Sequence, residues 1–187
     1  MPVTPFHLGP GLLLKGLAPR ALSMTAFTAA NVAIDLESVV NLLAGRHPVH
    51  ATLHTLPVAL GVGVVCGVAT AAVARRLGRT GPALRLGPCL VGGVLGGLGQ
   101  TVLDAVMHRD LLPFRPLSDA NPFLGAVPLD VLHLGCVVAG VVGAALWAWR
   151  RPPSGGPARP ETEAGGPRVI RARTPGQSPR VARRRPT

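Results

Sequence analysis

The chain has 187 residues, of which 48% are hydrophobic and only 14% are charged, whereas a soluble domain usually carries about 25% charged residues. This composition argues against a soluble enzyme and favours a membrane protein. The net charge of +11 would suit nucleic acid, but ten arginines against two glutamates from residue 150 onward supply +8 of it. We therefore expect a basic tail attracted to anionic membrane lipids and no specific nucleic-acid partner.

Four apolar segments predict an all-α bundle that crosses a membrane four times. In chain order they are residues 21–43, 51–74, 86–103 and 131–149. The second would form a helix of about 36 Å, enough to cross a hydrocarbon core of roughly 30 Å. The bundle is predicted to cover residues 1–149. Residues 150–187 are rich in Arg, Pro and Gly and are predicted to be a disordered tail.

A shorter apolar stretch, residues 8–18, precedes the first span. It is too short to cross a bilayer, so we expect a half-helix that a turn at Pro19-Arg20 joins to the first span. At about 1.5 Å per residue from that turn, His7 and Asp35 would reach a similar depth.

Loop charges predict the orientation of the bundle. The connection between the second and third spans contains four arginines, Arg75, Arg76, Arg79 and Arg85. By the positive-inside rule this connection and the basic tail should lie in the cytoplasm. The opposite helix ends should then face outward.

Histidine and carboxylate side chains gather at these outward ends. They are Asp35, Glu37, His47, His50, His54, Asp104, His108, Asp130 and His133. Several are three or four residues apart, a spacing that places side chains on one helix face. Imidazole and carboxylate together suit zinc or another divalent first-row metal. Asp35 and Glu37 are two apart, so one of them should turn away.

Simpler interpretations exist for individual residues. A single histidine at a helix end can be an interfacial polar residue, and Asp130 can stabilise a helix N-terminus. Asp104 can form a structural ion pair with Arg109, and Glu37 with Arg46. For the whole set on one side of one small bundle, we favour a shared metal site.

Several short motifs point to a known family by their order and spacing. They are Thr4-Pro-Phe-His7 before a Gly-Pro-Gly turn, Ala-Asn-Val-Ala-Ile-Asp35-Leu-Glu37, His50-x3-His54-Thr, Leu103-Asp104-Ala-Val-Met-His108-Arg-Asp110 before Pro113-Phe114, Asn121-Pro-Phe-Leu-Gly, and Leu132-His133-Leu. Over residues 1–149 the chain resembles small bacterial inner-membrane metal-dependent hydrolases, sometimes described as LexA-binding and related to domain of unknown function 457. That family is distantly similar to zinc-dependent phospholipase C and P1-type nucleases.

The resemblance implies a site that holds a divalent metal, with zinc expected. Its metal ligands would be His7, Asp35, His54 and Asp104. His50 and His108 would be either further ligands or proton-transfer groups. One position departs from the family. Where relatives carry His-x3-Asp, this chain has Gln100-Thr-Val-Leu-Asp104, and glutamine is a poor zinc ligand.

Three functions fit these patterns. The first is hydrolysis of an ester or phosphoester, in an unidentified small-molecule or lipid substrate, by metal-activated water. The second is a non-catalytic structural or partner-binding membrane protein that lost activity with the change at Gln100. The third, an ion or proton conduit, ranks last because the cytoplasmic halves of the spans lack matching polar residues. The sequence assigns no role to Glu37, Asp110, Asp130 or His133.

Overall fold

The computed structural model describes residues 5–150, and every regular element in that part of the chain is helical. The helices are α1 (Leu8–Leu17), α2 (Met24–Leu43), α3 (Leu56–Arg76), α4 (Leu86–Met107) and α5 (Leu129–Trp149), with 3-10 turns at Pro5–His7 and Pro82–Leu84. The predicted all-α bundle of four long apolar helices behind a short N-terminal helix is confirmed. The predicted tail lies, from residue 151 onward, outside the described residues.

Helices α2 to α5 are long and apolar enough to cross a membrane. They contain 20 to 22 residues each, which corresponds to about 30–33 Å. Helix α1 has only 10 residues and is too short to cross, as the sequence predicts.

The start of α3 differs from the sequence prediction. The apolar run begins at residue 51, but α3 begins at Leu56, with Pro57 in its first turn. Proline lacks an N–H and its ring clashes with a preceding helical turn, so a helix tolerates it only near the start. His50 and His54 therefore lie in an irregular segment before α3. The expectation that their spacing places them on one helical face was wrong.

Small residues allow the helix backbones to approach closely. Helix α4 packs against both α2 and α3, whereas α1 packs mainly against α5. A Cβ atom at Gly63 of α3 would lie only 2.5 Å from the carbonyl oxygen of Gly93 in α4. A Cβ atom at Gly16 of α1 would lie 2.5 Å from the carbonyl oxygen of Gly143 in α5. Glycine at these positions thus sets both interfaces.

Charge divides between the two ends of the bundle. The six carboxylates within residues 5–150 all belong to the end where α2 and α4 finish and α3 and α5 begin. At the other end, Lys15 is buried and donates a hydrogen bond to the Leu22 carbonyl at 2.7 Å. Arg150 donates to the carbonyls of Gly16 and Leu17 at 3.0 and 2.6 Å. Arg150 thus binds carbonyls at the C-terminal end of α1, where helix carbonyls lack partners, and Lys15 binds the chain that follows α1.

Candidate metal centre

Asp104 is the centre of the polar cluster at the carboxylate-rich end. It lies one turn before the end of α4 and is almost fully buried. Three imidazoles surround its carboxylate. His7 Nε2 lies 3.3 Å from Oδ1, His54 Nε2 lies 3.4 Å from Oδ2, and His108 Nε2 lies 3.9 Å from Oδ1. Residues from three separate parts of the chain therefore meet at one carboxylate.

The N-terminal segment places His7 in this cluster. His7 ends the 3-10 turn that leads into α1, and α1 packs along α5. The ring of Phe6 stacks on that of His133 in α5, with the ring centroids 4.5 Å apart. His133 therefore contacts the segment that carries His7 and does not itself join the cluster.

Gln100 joins two carboxylates. Its side-chain Nε2 donates hydrogen bonds to Asp35 Oδ1 and, at 3.1 Å, to Asp104 Oδ2. Its Oε1 is buried and has no hydrogen-bond partner within residues 5–150. The neutral amide of Gln100 thus lies between Asp35 and Asp104. In the family that the chain resembles, this position is expected to carry a histidine. Asp35 reaches the cluster through this amide.

Asp110 orients His50. Asp110 Oδ2 accepts the backbone N–H groups of Val49 at 3.0 Å and of His50 at 3.2 Å. Both of its carboxylate oxygens lie 3.2 Å from His50 Nδ1. The His50 ring stacks on His108 at a centroid distance of 4.0 Å and meets His54 edge-on at 4.9 Å. Sequence reasoning gave Asp110 no role, because this contact joins positions sixty residues apart that share no periodic pattern.

His50, His108 and Asp110 lie outside the helices, and their surroundings shift their pKa values. Burial lowers the pKa of His50 below its ordinary value, and the neighbouring His54 lowers it further. Burial and the adjacent His50 likewise lower the pKa of His108. Burial raises the pKa of Asp110, but hydrogen bonds from His50 outweigh it and leave that pKa below its ordinary value. At neutral pH the two imidazoles are neutral, the form that binds metals.

Glu37 supports the segment that carries His54. Its carboxylate accepts the backbone N–H groups of Thr52 at 3.0 Å and Leu53 at 2.7 Å. Its Oε2 also lies 3.7 Å from His54 Nδ1. Asp35 and Glu37 thus approach the cluster from different sides, and the expectation that one of them turns away was wrong.

The structure brings together the six residues that the resemblance implies as metal ligands or proton-transfer groups. His7, Asp35, His50, His54, Asp104 and His108 all lie at this end of the bundle, and five of them are buried. His47 and Asp130 are exposed, and neither forms a hydrogen bond or an ion pair with any of the six in the described part of the chain. The alternative ion pairs, Asp104 with Arg109 and Glu37 with Arg46, do not form among residues 5–150.

The donor set fits a metal ion. His50, His54 and Asp104 each offer a ligand atom, and these atoms lie within 4.8 Å of one another. His50, His108 and Asp110 form a second such group. Nδ1 of His7 is buried without a hydrogen-bond partner within residues 5–150. A buried polar atom without a partner is costly, so this nitrogen is consistent with a bound cation.

A cleft of about 360 Å³ opens beside His50. His50, Asp110 and Arg115 contribute charged or titratable groups to its lining, and the other lining residues are proline, threonine, alanine, valine and leucine. Arg115 also pairs with Asp119, with 2.6 Å between Nε and Oδ1. The cleft gives a ligand access to the edge of the cluster.

No family model matches this chain, and neither a curated protein nor a solved structure matches it. The resemblance to the small inner-membrane hydrolases therefore stays a prediction.

Proposed function

We propose that the protein is a multi-pass inner-membrane hydrolase that uses a divalent metal, with zinc the expected ion, to cleave an ester or phosphoester. The observation that carries this proposal is the buried Asp104 with imidazoles on several sides. Ionisable residues at membrane depth are costly and mark functional sites. A structural role alone would not require four histidines and four carboxylates in one cluster.

His50, His54 and Asp104 would hold the ion, with His7 and Asp35 adjoining them. A bound zinc ion would polarise the substrate and lower the pKa of a water molecule toward neutrality. Asp110 accepts the Nδ1–H of His50 and so leaves Nε2 free as a ligand, an arrangement common around protein-bound zinc.

His108 is the proposed proton-transfer group. Its side chain is 22% exposed, so it can exchange protons with solvent. Its Nε2 faces Asp104, which favours a proton on that nitrogen and leaves Nδ1 as the free base. The neighbouring carboxylate of Asp104 then stabilises the imidazolium after proton uptake.

The cleft beside His50 is the proposed substrate entrance. Its apolar wall suits a hydrophobic or lipid-like ester, and Arg115 suits an anionic group on the substrate. The arginines between α3 and α4 favour a cytoplasmic location for that end and for the basic tail. The cluster would then face outward.

Metal analysis of the full chain purified in detergent tests the proposal. We expect stoichiometric zinc after growth with added zinc, and loss of that zinc in the double variant His54→Ala/Asp104→Ala. His47→Ala is the matched control, because His47 is exposed and outside the cluster. Zinc-free wild-type protein, or a double variant that keeps wild-type zinc content, would refute the metal site.

A metal-binding protein without catalysis is the alternative, and the amide of Gln100 between Asp35 and Asp104 favours it. The zinc-loaded protein should be assayed with chromogenic phosphoesters, carboxylic esters and labelled phospholipids. Turnover that a chelator abolishes and zinc restores supports the hydrolase. Zinc binding without turnover of any of these substrates supports the alternative.

A further inference from the structure

The end of the bundle opposite the candidate metal centre carries positive charge without compensation. Arg75, Arg79 and Arg85 line a recess of about 590 Å³ between the end of α3 and the start of α4. None of these three arginines forms an ion pair within residues 5–150, where every carboxylate belongs to the other end. The length of α3, about 31 Å, separates this recess from the His54 segment.

An apolar crevice adjoins the arginine recess. It lies between α2 and α3, has a volume of about 300 Å³, and is lined mainly by small side chains such as Thr25, Ala29 and Ala69. Its wall follows α3 from Cys66 to Leu77, a distance of about 16 Å. Arg79 and Leu84 line both the crevice and the recess. The apolar space therefore opens directly at the arginines.

The turn after α3 holds Arg79 at this opening. Gly78 adopts a left-handed conformation with a φ of 63°, which glycine tolerates at a helix end. The N–H of Arg79 donates to the Ala74 carbonyl at 2.9 Å, and that of Gly78 to the Arg75 carbonyl at 3.1 Å. This pair of hydrogen bonds is the Schellman arrangement. The backbone of Arg79 is thus fixed over the crevice.

The start of α4 adds to the positive potential of the recess. Arg85 precedes α4 with an extended backbone, and no side chain caps the helix N-terminus within the described residues. The first N–H groups of a helix attract anions. Together with three arginines, they complement a phosphate group.

We propose that this end of the bundle binds one anionic glycerophospholipid. The arginines contact its phosphate headgroup, and one acyl chain occupies the crevice between α2 and α3. A basic pocket between membrane helices is a recognised type of anionic lipid site. The continuity of the apolar crevice with the recess favours a lipid over free phosphate. This site is independent of metal binding and of any hydrolysis at the other end.

Native mass spectrometry of the full chain in detergent tests the proposal, with phosphatidylglycerol and phosphatidylcholine of identical acyl chains as probes. We expect phosphatidylglycerol to bind preferentially and to raise the melting temperature. Each basic residue at an anionic membrane surface contributes about 1 kcal/mol, so Arg75→Gln/Arg79→Gln should weaken phosphatidylglycerol binding roughly thirtyfold. Arg46→Gln/Arg109→Gln is the control, because both arginines are exposed at the opposite end.

A second variant tests the acyl-chain contact. Ala69→Phe narrows the crevice and leaves the arginines intact, so it should weaken binding of phosphatidylglycerol but not remove the preference for an anionic headgroup. Lipid-free melting temperatures identify any variant that fails to fold. Equal binding of the two lipids, equal losses in the arginine and control variants, or the same stabilisation by inorganic phosphate alone would overturn the proposal.

Discussion

The carboxylate of Asp110 contacts His50 twice, through its backbone N–H and through its ring Nδ1, both at 3.2 Å. This double contact fixes the ring relative to the backbone. Replacing a carboxylate that orients a metal-bound histidine typically lowers metal affinity by about 10- to 100-fold. We expect Asp110→Asn to lower zinc affinity by that amount, measured by competition with a chromogenic chelator.

Asp119→Asn is the control for this experiment. Asp119 lies in the same loop, is exposed and contacts Arg115, so its loss should leave zinc affinity unchanged. Unaltered affinity in Asp110→Asn would contradict an orienting role.

Gln100 offers a gain-of-function prediction. Its Nε2 donates to both Asp35 and Asp104, so an imidazole at this position would add a metal ligand between two carboxylates. We expect Gln100→His to bind more zinc per chain than the wild type, measured by elemental analysis. Gln100→Asn, which keeps the amide but shortens it, should not. Equal zinc content in Gln100→His and the wild type would contradict this prediction.

The close contact of α3 and α4 predicts opposite outcomes for two glycines in one helix. Gly63→Ala places a methyl group against the Gly93 carbonyl and should lower the free energy of unfolding by about 1–3 kcal/mol. A Cβ atom at Gly61 meets nothing within 4 Å, so Gly61→Ala should be neutral or slightly stabilising. Thermal unfolding followed with a thiol-reactive dye provides the measurement, because Cys89 and Cys136 are buried. Equal melting temperatures would argue against this packing.

Lowering the pH should destabilise the metal-free protein. The pKa values of His50 and His108 are lowered by burial, so below about pH 6.5 the unfolded chain binds protons that the folded chain does not. By linkage, the free energy of unfolding falls as the pH drops from about 6.5 toward the lowered folded values, and the loss is absent above that range. His108→Gln should reduce this decrease in melting temperature. An unchanged pH dependence in the variant would show that His108 does not contribute.

The fold was predictable to the extent that hydropathy marks helices. The run at residues 86–103 ends before Asp104, yet α4 continues to Met107, because backbone hydrogen bonding does not stop at the first charged residue. The apolar run predicted too early a start for α3, because Pro57 is tolerated only in the first turn of a helix.

The candidate site was predictable only in part. Antiparallel helices bring their polar ends together, so the meeting of His7, His54 and Asp104 follows from topology. The contacts of Glu37 with the backbone at Thr52 and Leu53 could not be predicted. A carboxylate that accepts backbone N–H groups from an irregular segment leaves no residue pattern.

The packing of α1 along α5 has a consequence for biosynthesis. His7 lies before all five helices in the described chain, but its position depends on α5, the last of them. A chain that ends before Leu129 would therefore lack the helix that holds His7 beside Asp104.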